Sequence, residues 1–329
     1  MNNEGVHGAG HRRYGIVGIA LAIATLVIIG LLIHINSLQS QITNYKAESF
    51  AQSAQLRTYQ QLTCSNSPRV TKADGIRTHS IEVDGQLRSY RVHAPANYDP
   101  NLRYPLVLSF DGIDGSGAQM QSYAGLDTIP ALVVYPDSLP SKEGFTAWQG
   151  APYSQDGSYD IEFIKVLLQT VAGQYCIDSA KVFATGMSNG GAFATIVGCQ
   201  LGDKIRAVAS VSGAYYSSCK SETRAPSLLV MHSVDDNRVP FYGEVRRGLP
   251  EVPVWVKAQT IARSCADQAS AVTTAHSKQY TWVGCKDDST VKLIVLNGQE
   301  HGWLKVPSEL EKGTPTTAQY IWDFFESTL

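Results

Sequence analysis

Lys181 to Gly191 reads KVFATGMSNGG, and the fold of the chain turns on this stretch. Val182-Phe183-Ala184-Thr185 is a short run of β-type residues, and Ala192 to Cys199 continues as an apolar run compatible with a helix. Between them, Gly186-Met187-Ser188-Asn189-Gly190 has the pattern G-x-S-x-G. Strand, sharp turn and helix are the setting in which that pattern forms a nucleophile elbow. The requirement is steric. The turn holds the serine in a strained backbone geometry, so the residues two positions either side must be very small. Its Oγ then stands clear of the sheet, and the free N–H groups at the start of the helix point at a reacting carbonyl. A plain Gly/Ser turn would show the same five residues, so the rest of the chain has to decide.

On either side of the elbow the pattern repeats. Leu106 to Phe110, Ala131 to Tyr135, Ala207 to Ser212, Ser227 to His232 and Val291 to Leu296 are near-continuous apolar runs, as parallel strands buried on both faces require. Ile161 to Val171, with Asp160 as its N-cap, Trp255 to Ala262 and Thr317 to Phe325 have helical spacing. Ser80 to Val83 and Leu87 to His93, joined by Asp84-Gly85, read as an antiparallel hairpin. The expected architecture is a doubly wound, mostly parallel α/β sheet with an N-terminal antiparallel hairpin. In such sheets ligands bind beyond the carboxyl ends of the strands.

The chain has 329 residues, 43% hydrophobic and 17% charged, enough for a large core. A net charge of −2 gives no electrostatic case for nucleic acid. Residues 14–33 contain no charge, about the length needed to cross a bilayer, and Arg12 and Arg13 precede them. The expected organisation is a cytoplasmic N-terminus (1–13), a transmembrane signal-anchor (14–35), a helical stalk (36–63) and an extracytoplasmic domain (64–329). Secretion after signal cleavage is the alternative. Six cysteines, Cys64, Cys176, Cys199, Cys219, Cys265 and Cys285, all follow the apolar segment, which suits an oxidising compartment. Cys176 precedes the elbow strand and Cys199 ends the elbow helix, so the two are expected at one edge of the sheet and paired, leaving Cys64 with Cys219. No cysteine or histidine spacing suggests a metal site, and no cofactor is implied.

A serine hydroxyl needs a base, and the base an orienting carboxylate. With this elbow the acid follows the serine and the histidine comes last. Of eight histidines, His301 alone follows the last strand, after the turn-forming Asn297-Gly298. His232 ends a strand before any candidate acid. The acid should follow that strand, where Asp235 and Asp236 both qualify. An oxyanion hole would combine the N–H of Asn189 with one from the glycine-rich loop Asp111 to Gly117.

Residues 64 to 329 resemble the secreted esterases that include feruloyl esterases, acetylxylan esterases and polyhydroxybutyrate depolymerase-like proteins, on the α/β-hydrolase fold. The resemblance lies in Ala94-Pro95-Ala96-Asn97-Tyr98, Asp160-Ile161-Glu162-Phe163, Cys176-Ile177-Asp178 and the elbow. It extends to His232 through Phe241, similar to H-G-T-x-D-x-x-V-P-Y, and to Glu300-His301-Gly302-Trp303, similar to G-H-x-W. It implies a serine esterase with Ser188 as nucleophile, Asp236 as acid, His301 as base, and Ile113 beside Asn189 at the oxyanion. It also implies a Cys265–Cys285 disulfide around a polar excursion. The family's His-Gly at the oxyanion loop is Asp111-Gly112 here, and a carboxylate pointing inward there would oppose an oxyanion. Trp303, Trp148 and Tyr153 are the expected aromatic wall of a pocket suited to short or planar acyl groups on a small or polysaccharide-linked ester. A serine peptidase of the same fold and a catalytically silent binding module are the competing readings.

Overall fold

A computed structural model describes residues 28–42, 70, 77–96, 98–217, 224–307, 310 and 316–329. The chain divides into two compact units, Met1–Leu62 and Thr63–Leu329. In the first, residues 28–42 form an exposed helix, α1. Among the described residues no helix is long and apolar enough to cross a membrane. Residues 14–27 of the expected span and 43–63 of the expected stalk lie outside them.

The second unit begins with the hairpin β1 (Arg77–Val83) and β2 (Gln86–His93). Asp84 and Gly85 both take positive φ, 49° and 77°, which gives the turn the twist of its flanking strands. The sheet continues through β3 (Tyr104–Phe110), β4 (Leu132–Pro136), β7 (Ile177–Met187), β8 (Ala207–Val211), β9 (Ser227–Ser233) and β12 (Val291–Leu296). A small separate ribbon pairs β5 (Leu139–Pro140) with β6 (Thr146–Ala147). The residues between Cys265 and Cys285 form a hairpin, β10 (Ser270–Thr273) and β11 (Ser277–Trp282), that extends the sheet. The ten-stranded order is β1-β2-β4-β3-β7-β8-β9-β12-β11-β10, parallel from β4 to β12 and antiparallel at both ends.

Successive side chains on a strand point to opposite faces, so the buried strands feed two cores. Leu106, Leu108, Ala184 and Val230 face one, with Ile161 and Phe163 of α3 (Tyr159–Gln174), Phe193 of α4 (Asn189–Gln200) and Trp255 of α5 (Val252–Ala262). Val107, Phe183, Ala209 and Leu229 face the other, against Met120 of α2 (Gly117–Ala124) and Ile321 and Phe325 of α6 (Thr317–Glu326). This is the expected doubly wound α/β arrangement. One detail differs. Asp160 does not cap α3, because Ser158 holds that position. Its carboxylate instead pairs with Arg88 at 2.7 Å, both side chains buried, and accepts the Gln149 N–H.

Cys265 and Cys285 are joined, closing the base of the edge hairpin. Cys176 and Cys199 are each disulfide-bonded. Cys64 and Cys219 lie outside the described residues.

Candidate active site

The glycines of the elbow are there because neighbouring backbone leaves no room. A Cβ on Gly186 would sit 2.5 Å from the Gly190 carbonyl oxygen, and one on Gly190 would sit 2.3 Å from the carbonyl oxygens of Phe110 and Asp111. The end of β7, the start of α4 and the loop after β3 are thus in direct contact. Ser188 bridges strand and helix at φ 58° and ψ −121°, a conformation that L-residues avoid unless their surroundings impose it. Its N–H donates to Val211 O and its carbonyl accepts from Ala192 and Ala214, so the loop after β8 clamps the turn. Asn189 and Gly190 open α4, where N–H groups have no acceptor within the helix.

Placement separates the two candidate acids. Asp236 is buried, and its two oxygens lie 3.1 and 2.8 Å from His301 Nδ1. Its Oδ1 also accepts the N–H groups of Arg238 and Val239, at 2.9 and 2.7 Å. Burial pushes the Asp236 carboxyl up, but hydrogen bonds from His232, His301 and Val239 outweigh it and hold the group below the usual carboxylate range. Asp235 is exposed and accepts the Gly298 N–H instead. The Ser212 hydroxyl donates to Gly302 O at 2.9 Å, which ties the histidine loop to the strand beside the elbow. Ser188 and His301 line one cavity of about 650 Å³, together with Gly112, Ile113, Met187 and Tyr153.

His232 also reaches Asp236, a contact that chain order does not reveal. It is fully buried, its Nε2 lying 2.8 Å from Val239 O and 3.3 Å from Asp236 Oδ2. A carbonyl can only accept, so Nε2 carries the proton and presents it to the carboxylate as well. The signal was the spacing: His232 lies four residues before Asp236, at the end of the strand that leads to it.

Asp111 turns away from any oxyanion. Its carboxylate accepts the Gly112 and Ser116 N–H groups and the Tyr123 hydroxyl, the last at 2.5 Å, and so organises its own loop. A Cβ on Gly112 would approach Ser188 Cβ to 3.3 Å, which shows how closely that loop passes Ser188. Ile113 follows and is 38% exposed toward the cavity.

The expected aromatic wall needs correction. Trp148 is 1% exposed, stacks on Phe193 and donates its indole N–H to Asp111 O, so it is a packing residue. The Asn189 side chain holds it there by accepting the Trp148 N–H and donating to its carbonyl. Trp303 is half-buried against the second core and tilted against Tyr123. Tyr153 does line the cavity, edge-on to Tyr216, which lines it too.

Among the described residues no group of histidines, cysteines and carboxylates could hold a metal ion.

Comparison with known proteins agrees with this frame. The chain is 26% identical to feruloyl esterase D of Neurospora crassa over 279 residues, covering 80% of this chain and 88% of that one. It is 26% identical over 250 residues to a bifunctional acetylxylan esterase/xylanase of Neocallimastix patriciarum, covering 73% of this chain and 33% of that protein. An acetyl xylan esterase from Aspergillus awamori shares the fold with a TM-score of 0.52 and 14% identity, over 76% of this chain and 99% of that one. The α/β-hydrolase fold is thereby established. The putative-esterase family pattern matches residues 82–289, more than half of the sequence. The chain belongs to the putative esterase family and is a carboxylic ester hydrolase.

Proposed function

We propose that the chain is a serine esterase that hydrolyses acetyl or hydroxycinnamoyl esters linked to polysaccharide. The observation that carries the reading is the convergence of Ser188 and His301 on one cavity, with buried Asp236 on the far ring nitrogen. Asp236 fixes the proton of His301 on Nδ1, leaving Nε2 free to accept. Ser188 Oγ attacks the ester carbonyl carbon and its proton passes to Nε2. The tetrahedral oxyanion takes N–H groups from Asn189 and Ile113. The carbon–oxygen bond to the alcohol then breaks as His301 returns the proton to it. Water, deprotonated by His301, attacks the acyl-enzyme, and the acid leaves as Ser188 regains its proton.

Tyr153 and Tyr216 support a planar or short acyl group, since they give flat apolar area with polar tips. The names of the similar proteins point the same way. A panel of acetyl, feruloyl, hydroxybutyryl and long-chain acyl esters tests the reading. Acetyl or feruloyl esters should lead, with turnover abolished in Ser188→Ala. Equal hydrolysis by Ser188→Ala would overturn it.

For location, we propose that residues 14–35 anchor the chain, residues 36–63 space it from the membrane, and residues 64–329 work outside. Arg12 and Arg13 before the apolar run and the disulfide-bonded cysteines support this. The protein should stay with membranes through a carbonate wash. A mature N-terminus between residues 34 and 64 would establish secretion after cleavage instead.

A further inference from the structure

The charge of the cavity has no counterpart in the chain as a whole. The chain carries a net charge of −2, yet the cavity wall includes Arg238 and Arg247 and no carboxylate. The Arg247 side chain and the Arg238 backbone are held in place. Arg238 follows Asp236 by two residues, and its backbone N–H is bonded to that carboxylate at 2.9 Å. Arg247 closes a short 3-10 turn, Val245–Arg247, whose base is pinned by two bonds between Glu244 and Leu249. Its guanidinium donates to Arg238 O at 2.6 Å and to Glu244 Oε2 at 3.1 Å, with Tyr216 OH at 3.5 Å. Among the described residues the Arg238 guanidinium makes no hydrogen bond or ion pair, and it is exposed. Two guanidinium groups thus face one neutralising carboxylate beside the ester-binding space. A guanidinium matches a carboxylate with paired N–H donors, a geometry that an ammonium lacks.

We propose that Arg238 and Arg247 form a carboxylate-binding wall, so that the preferred ester carries a free carboxylate on its non-reacting part. This rests on the serine-esterase reading above and deepens it by naming the charge of the substrate. The carboxylate could belong to the acyl side, as in a hemiester of a dicarboxylic acid, or to the alcohol side, as in an acylated uronic acid.

Matched pairs separate these sources. The acyl arm compares 4-nitrophenyl hemiglutarate with 4-nitrophenyl pentanoate, corrected for spontaneous hydrolysis. The alcohol arm compares an acetylated glucuronoside with the acetylated glucoside. In one arm kcat/KM should favour the carboxylated member by about tenfold at low salt, and the preference should shrink as salt rises. Arg238→Gln and Arg247→Gln should each lower that ratio. Glu244→Gln, which removes the neutralising charge, should raise it, so the inference remains testable should an arginine variant fail to fold. Hydrolysis of both members with a ratio near one, or favouring the neutral ester, in both arms would overturn this inference and leave the esterase reading standing. No hydrolysis of any member, with no fluorophosphonate labelling of Ser188, would overturn both.

Discussion

Asp236→Asn is the perturbation whose outcome the geometry fixes most tightly. Oδ1 of Asp236 accepts two backbone N–H groups, from Arg238 and Val239, and neither donor can reverse its role. An asparagine should therefore keep its carbonyl oxygen at that position, because flipping it would leave the buried Val239 N–H unsatisfied at about 1–3 kcal/mol and break the Arg238 bond as well. Its NH₂ then falls where Oδ2 stood, 2.8 Å from His301 Nδ1 and 3.3 Å from His232 Nε2. With the nearer contact turned into a donor and only the 3.1 Å contact to the carbonyl oxygen left as acceptor, His301 favours the proton on Nε2, where it blocks proton transfer from Ser188. The wrong tautomer should lower kcat by about four orders of magnitude, or about 5.5 kcal/mol. Asp235→Asn, which disturbs only an exposed bond to the Gly298 N–H, should change kcat less than about threefold. Initial rates on 4-nitrophenyl acetate, with thermal melting to confirm folding, measure both. A folded Asp236→Asn that keeps a tenth of wild-type kcat, or an Asp235→Asn that is the more damaging, would exclude Asp236 as the partner that sets the His301 tautomer.

Three further outcomes follow from the same coordinates. Gly190→Ala should lose about 2–3 kcal/mol of stability together with activity, because its Cβ would meet the Phe110 and Asp111 carbonyl oxygens at 2.3 Å; chemical denaturation reads this directly. Asp236 has a depressed pKa in the fold, so its contribution to stability is present above the unfolded value, about 3.9, and is lost as pH falls through the folded one. The unfolding free energy should therefore decline below about pH 4, and Asp236→Asn should flatten that slope. Non-reducing peptide mapping should recover Cys265 linked to Cys285, with Cys176 and Cys199 each in a disulfide-linked peptide.

What could be read from the residues, and what could not, divides along a physical line. The elbow was legible because backbone crowding acts within a few residues, and only glycine survives at Gly186 and Gly190. The alternation of buried strands and helices was legible for the same local reason. Trp148 was misassigned because its place depends on Asn189, 41 residues away, pinning its backbone against α4. In sequence Asp111 stands where a carboxylate would oppose an oxyanion; in the fold the Ser116 N–H and the Tyr123 hydroxyl hold that carboxylate within its own loop. His232 was set aside by chain order, although its ring reaches the carboxylate from the strand side. The arginine wall depends on a 3-10 turn folding back over the acid loop, and no periodicity in the sequence announces that.

The central claim is that Ser188 is the nucleophile. Incubation with a fluorophosphonate, followed by peptide mass spectrometry, tests it most directly. One adduct is expected, on the peptide containing Ser188, formed in step with loss of esterase activity and absent from Ser188→Ala. An adduct on another residue, or full inactivation with Ser188 unmodified, would contradict it.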